Sequence, residues 1–289
     1  MLIWGSTWYA IKFQIDTVHP IVSVAYRYVI AAVCLIAFCL YRGYRLRFSA
    51  GDHAGIAAQG TFLFSLNYIL FYIAAADVTS GLLALVFSTI VLMNMINGAL
   101  LFRFPVNAGV LAGAGLGLFG IALVFFPEVR DFEASRDTIL GLGLAVVATY
   151  LASLGNMGSV YTQRRRLPVV QTNALGMAYG AVITLGVAAV LAATGRLEFG
   201  IDLSFPYLAS LIYLAIFGSV LGFGAYLTLL GRIGADRAAY ATVLFPVVAL
   251  GISTALEGYV WTAPALAGTV FILAGNVLVL KARKPPLPP

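Results

Sequence analysis

The chain has 289 residues, of which 62% are hydrophobic and only 10% charged, with a formal net charge of +6. A soluble domain carries about 25% charged residues, so an ordinary globular enzyme is excluded. Nor does the basic excess point to nucleic acid, because it sits in short loops between apolar runs, where it orients a membrane protein.

Crossing a bilayer takes roughly 20 apolar residues in a helix, since only a helix or a closed barrel satisfies its own backbone there. Hydropathy predicts such stretches at Leu2–Ile15, Ile21–Tyr41, Ala54–Ala76, Leu82–Phe102 and Val106–Phe126. A second set follows at Ile139–Tyr161, Val169–Thr194, Pro206–Leu230, Ala238–Leu256 and Thr262–Leu280. The expected fold is therefore an all-α polytopic membrane protein of ten transmembrane helices. The opening stretch is short for a full crossing and lacks both a basic start and a small-residue cleavage site. It reads as a helix whose natural chain begins earlier, not as a signal peptide. Every connection is short, which keeps sequential helices adjacent and antiparallel.

Charge sets the orientation. With odd helices running outward, the inner side holds Arg42, Arg45, Arg47, Arg103, Arg164, Arg165, Arg166, Arg232, Arg237, Lys281, Arg283 and Lys284. The outer loops hold only Arg130, Arg136 and Arg196, with most of the acids. The positive-inside rule then places both termini in the cytoplasm.

The two halves resemble each other. Leu111-Ala112-Gly113, Gly120 and Leu123-Val124 return as Leu266-Ala267-Gly268, Gly275 and Leu278-Val279 at a constant offset of 155 residues. Five helices per half require the second half to enter from the opposite side, which makes an inverted repeat, an architecture of secondary transporters. The expected units are 1–130 and 138–284, followed by a Pro-rich cytoplasmic tail at 285–289.

Trp4-Gly5-Ser6-Thr7-Trp8 followed by Lys12, the lone Arg27 early in the second helix, and Glu257 near the end of the ninth stand in one order. With the Leu266-Ala267-Gly268 to Gly275 pattern, that order resembles the EamA-type transporters of the drug/metabolite transporter superfamily. Within it the chain looks most like bacterial YddG-type amino-acid exporters. Val91 stands where the first repeat of that family often has the counterpart of Pro246, and Phe102 replaces the counterpart of Glu257. The resemblance implies a multi-pass protein of the bacterial cytoplasmic (inner) membrane that exports amino acids. Its partners would be a small-molecule substrate and the lipid bilayer, with no nucleic acid, no cofactor and a monomeric state.

The residues bear on that expectation independently. Cys34 and Cys39 are five apart on one helix, about 140° of rotation, and cannot pair. His19 and His53 have no ligand neighbours at metal spacing, so no metal site is expected. Gly115-Leu116-Gly117-Leu118-Phe119-Gly120 matches a dinucleotide pattern but lies inside an apolar helix. Gly109, Gly113 and Gly117 at intervals of four read instead as a close-packing face. An integral membrane enzyme would need clustered Asp, His or Cys at the membrane face, and the sequence offers none.

Lys12 and Arg27 are the only basic residues inside spans. Both lie toward the outer leaflet, Arg27 about 10 Å in. They can attract a carboxylate, or they can snorkel and pair with Asp16, Asp77 or Glu257. For Arg27 the structural reading is preferred. No Asp or Glu sits near the centre of a span, and no Lys or Arg in the core of helices six to ten. Cationic drugs and phosphates would call for such groups, so a neutral or zwitterionic substrate is expected.

What remains for a midplane site is aromatic and amide. Substrate-binding candidates are Trp4, Ser6, Trp8, Asn67, Tyr68, Phe71, Tyr72, Asn94, Tyr150, Ser153, Asn156, Tyr213, Phe217 and Tyr226, with Asn97 beside them. Rings can stack on a substrate and favour its ammonium, while amides and hydroxyls bond its carboxylate. The competing reading is that these groups bond between helices. Pro246 removes a backbone hydrogen bond in the ninth span and predicts a kink, a hinge or a static bend. Gly218 and Gly222, with Gly224, permit similar bending or tight packing in the eighth. The alternatives to amino-acid export are a carrier of another small neutral metabolite or drug, or a channel.

Overall fold

A computed structural model describes residues 2–15, 18–74, 77–78, 80–126, 135–256 and 261–281. The described residues form helices and connecting turns, with no strand among them. In chain order the helices are α1 (Leu2–Ile15), α2 (Pro20–Tyr41), α3 (Ala50–Ala74), α4 (Ser80–Ser88), α5 (Ile90–Phe102) and α6 (Ala108–Val124). They continue with α7 (Arg136–Arg164), α8 (Val169–Ala193), α9 (Phe205–Ile233), α10 (Ala235–Val243), α11 (Phe245–Leu256) and α12 (Ala263–Lys281). Six segments are long and apolar enough to cross a bilayer, while Ala108–Val124 and Ala263–Val279 are shorter apolar helices.

Local chemistry fixes several starts. Ser49 caps α3 through a reciprocal pair with Asp52: Asp52 N–H donates to Ser49 Oγ at 3.2 Å, and Ser49 N–H to Asp52 Oδ2 at 3.3 Å. This capping box starts the helix at Ala50, four residues before hydropathy alone places it. Asn107 accepts from Gly109 and Val110 N–H to open α6, and Ser135 accepts from Thr138 N–H to open α7. Gly234, at φ 94°, ends α9 in a conformation that favours glycine.

Two expected spans are interrupted. The fourth breaks at Thr89, between α4 and α5, and the ninth at Leu244, between α10 and α11. The second break precedes Pro246, whose ring nitrogen cannot donate within the helix. The first has no proline. There the Thr89 hydroxyl bonds the Val86 carbonyl at 2.6 Å, a local side-chain bond that competes with the helical ladder. The breaks lie 155 residues apart, the offset seen between the Leu-Ala-Gly motifs. The wide-turn (π) segments behave alike: Phe62–Leu66 in α3 falls, at that offset, on the last five residues of Leu214–Leu221 in α9.

Packing interleaves the two halves. Helix α2 lies on α8, α3 on α7 and α8, and the wide-turn part of α9 on α2 and α1. Helix α3 seats in a groove floored by glycines: a Cβ on Gly155 would stand 2.8 Å from Leu63 N, and one on Gly180 2.9 Å from the Phe64 carbonyl oxygen. Helices α6 and α12 cross face to face, with Gly113 against Gly275 and Gly120 against Gly268. The close-packing face of α6 is thus built on Gly113 and Gly120, while Gly115 has open space around it. Cys34 is exposed and Cys39 buried, both as free thiols.

Candidate functional site

Where α1 and α9 meet, Trp4 Nε1 donates to the Gly218 carbonyl at 2.8 Å. That carbonyl lies within the wide-turn segment of α9. Gly218 and Gly222 therefore hold the Trp4 ring: the first supplies the acceptor, and the second lacks the Cβ that would collide with the indole nitrogen. The ring packs edge-on against Phe223 at 4.9 Å and lies 5.2 Å from Tyr226. Phe223 continues to Phe64 at 5.0 Å, Phe64 to Tyr28 at 5.6 Å and Tyr28 to Tyr68 at 5.4 Å. A continuous aromatic path thus runs through α1, α2, α3 and α9.

At one end of the path stand amides. Asn156 Nδ2 donates to the Tyr226 hydroxyl at 3.1 Å and to Asn94 Oδ1 at 3.4 Å. Asn94 Nδ2 in turn donates to the Ala235 carbonyl at 3.1 Å. This donor chain, anchored on a backbone carbonyl, orients both amides. It leaves Asn156 Oδ1 buried with no hydrogen-bond partner among the described residues.

At the other end lies Arg27. It is 4% exposed, so it does not snorkel. Its Nε donates to Ser219 Oγ at 2.8 Å, and its guanidinium carbon lies 5.6 and 5.4 Å from the ring centres of Tyr28 and Tyr68. Ser219 was silent in the sequence, because one serine in an apolar run is commonplace. Phe64, Phe223 and Tyr28 were silent for a similar reason, as rings in spans that are apolar on every face.

The other candidates separate into smaller groups. Asn97 Nδ2 donates to Ser153 Oγ at 2.9 Å between α5 and α7. Asn67 is buried with Oδ1 unpartnered among the described residues, and Tyr72 is half-buried against the main core. Phe71 contacts Phe87 of α4 at 5.5 Å. Ser6 bonds the Tyr213 hydroxyl, and Tyr213 stacks on Phe217 at 5.3 Å. Ser6 and Tyr213 line an apolar groove of about 730 Å³ with Ile3, Val247 and Ile252 of α1 and α11. Tyr150 is 45% exposed on α7, apart from the aromatic path. The side chains of Trp8, Lys12 and Pro246, and Asp16 and Glu257, lie outside the described residues. Among the described residues no three His, Cys, Asp or Glu side chains gather as metal ligands.

Toward the expected cytoplasmic side the helix ends are tied by polar contacts. Arg165 Nε donates to Asp52 Oδ1 at 2.6 Å, and this bond raises the guanidinium pKa further above its ordinary value. Tyr179 OH and His53 Nδ1 lie 3.0 Å apart, and the Arg164 guanidinium sits 5.0 Å from the rings of Phe102 and Phe104.

The sequence matches the family model described as the EamA-like transporter family twice, over residues 1–126 and 139–281. Among known proteins it is 27% identical to an uncharacterized inner membrane transporter, YedA, of Escherichia coli (strain K12), covering 89% of this chain and 80% of that one. It is 26% identical to a probable amino-acid metabolite efflux pump of the same organism, over 98% of this chain and 94% of the other. A solved crystal structure 17% identical in sequence shares the fold, with a TM-score of 0.82 over 98% of this chain and 94% of that one.

Proposed function

The chain belongs to the EamA-like transporter family, and from that premise we propose that it is a secondary transporter exporting aromatic and other neutral amino acids across the bacterial inner membrane. The observation that carries this reading is Asn156 Oδ1. It is a buried acceptor with no partner among the described residues, on an amide that Asn94, Tyr226 and, through Asn94, the Ala235 carbonyl hold in orientation. Leaving a buried acceptor unpaired costs roughly 1–3 kcal/mol. A substrate ammonium beside it removes that cost, while the Trp4 and Tyr226 rings offer their faces to a cation or to an aromatic side chain. The efflux-pump name of the relatives from Escherichia coli and Salmonella typhimurium supports the amino-acid class and the outward direction.

The carrier works by alternating access. Two inverted five-helix repeats, 1–130 and 138–284, rock about a central cavity so that it faces one side at a time. Helix breaks at Thr89 and Leu244, the paired wide turns and the reciprocal glycine contacts of α6 and α12 support this two-fold scheme. The apolar groove of Ile3, Ser6, Tyr213 and Val247 favours a second reading, a carrier of hydrophobic drugs or other neutral metabolites entering from the side.

Counterflow separates the readings. Proteoliposomes preloaded with unlabelled phenylalanine, tryptophan, threonine or methionine should accumulate the matching radiolabelled amino acid from outside. Absence of accumulation with folded protein rejects the amino-acid assignment. Flux that never saturates and ignores substrate on the far side indicates a channel.

A further inference from the structure

We propose that Arg27 is the carboxylate-recognition group of this carrier, so that its substrates must carry an acid function. The proposal adds a specific anchor to the amino-acid reading above, although the Arg27 site can be tested without that reading. An arginine keeps its charge under any physiological condition, and burying a cation without a counter-ion is costly. Arg27 is nonetheless 4% exposed, and among the described residues no carboxylate pairs with it. Its neighbours among the described residues are neutral. Ser219 accepts from Nε, and the Tyr28 and Tyr68 rings lend their negative faces. That environment holds the planar guanidinium fork in place but supplies no carboxylate to it among the described residues. A carboxylate matches such a fork in a bidentate pair.

Two further observations concern the same place. The hydroxyl of Tyr28, next to Arg27 in the chain, is fully buried and has no hydrogen-bond partner among the described residues, so a second donor waits there. Gly218 lets the fork and Thr7 pack close against the α9 backbone: a Cβ at that position would stand 3.2 Å from both Arg27 Nη2 and Thr7 Cγ2. The same glycine supplies the carbonyl that holds Trp4. Arg27 is thereby linked to the aromatic path whose far end carries the unpaired acceptor of Asn156.

The test uses purified full-length protein with four probes: L-phenylalanine, L-phenylalaninamide, phenethylamine and 3-phenylpropionate. Binding is read by ligand-induced thermal shift and transport by counterflow, on the wild type, Arg27→Lys and Arg27→Gln. The wild type is expected to bind phenylalanine roughly 10- to 100-fold more tightly than the amide or the amine, the usual worth of a hydrogen bond to a charged group. Arg27→Gln should bring phenylalanine down to the level of the amide and leave the amide itself unchanged, with Arg27→Lys in between. Equal wild-type affinity for acid and amide overturns the proposal even if no variant folds, as does an equal loss for both probes in Arg27→Gln. Failure of amino-acid transport with Arg27-dependent handling of 3-phenylpropionate would retain the acid anchor and reject the amino-acid reading. If no acid binds at all, both fall.

Discussion

Gly120 and Gly268 face each other across the crossing of α6 and α12: a Cβ on Gly120 would stand 2.6 Å from the Gly268 carbonyl oxygen, and a Cβ on Gly268 would meet the Gly120 carbonyl in turn. The obstacle on each side is backbone, which cannot swing away as a side chain can. Gly120→Ala is therefore expected to destabilise the protein by about 1–3 kcal/mol through overpacking. Gly115→Ala, which meets open space, should leave the melting temperature unchanged or slightly raised. Thermal unfolding in detergent, followed by size-exclusion chromatography, checks the pair. Equal melting temperatures would show that the helices part easily at this crossing.

Tyr226 and Asn156 share a hydrogen bond of 3.1 Å beside Trp4. Tyr226→Phe removes one neutral partner while Asn156 keeps Asn94, so substrate affinity should fall only about fivefold, the worth of one ordinary hydrogen bond. Asn156→Ala removes the acceptor proposed for the ammonium and should cost about tenfold or more, as for a bond to a charged group. Saturation of counterflow at matched expression measures both. Unchanged affinity in the two variants would mean that these groups only bond helices together.

Tyr150 provides the contrast. It is an aromatic residue in the same helix as Asn156, six positions earlier, but 45% exposed. Tyr150→Ala should leave transport affinity unaltered in the same assay. A loss comparable to that of Asn156→Ala would move the binding region to the outer face of α7.

Asp52 and Arg165 tie the start of α3 to the end of α7, one in each half, with the Arg165 side chain 49% exposed. Exchanging them, Asp52→Arg with Arg165→Asp, should recover only the pair's own share of the stability lost in the single reversals, since Asp52→Arg also removes the capping box with Ser49. The coupling should be small, since solvent screens a pair this exposed. A double-mutant cycle on melting temperatures measures it. No recovery on exchange would make the contact incidental to the closure of this end.

The helices were legible because membrane segments advertise themselves by length and apolarity, and each predicted stretch is mainly helical where the structure describes it, apart from the breaks at Thr89 and Leu244 and a few end residues. Recurrence of Leu-Ala-Gly at an offset of 155 marked the residues that later proved to touch, since close backbone approach demands glycine at both partners. The break at Thr89 was not legible. It has no proline, and a threonine that bonds Val86 looks like any other threonine in an apolar run.

Sequence by itself thus determined that the chain is helical, apolar and poor in central acids, because those properties are sums over many residues and survive ignorance of their neighbours. Only the tertiary structure decided which of the aromatic and amide residues converge. A membrane helix is apolar on every side, so no hydropathy period tells its inward face from its lipid face. That choice set Tyr226 against Trp4, left Tyr150 outside, and enclosed Arg27 among Ser219, Tyr28 and Tyr68 instead of letting it reach the interface.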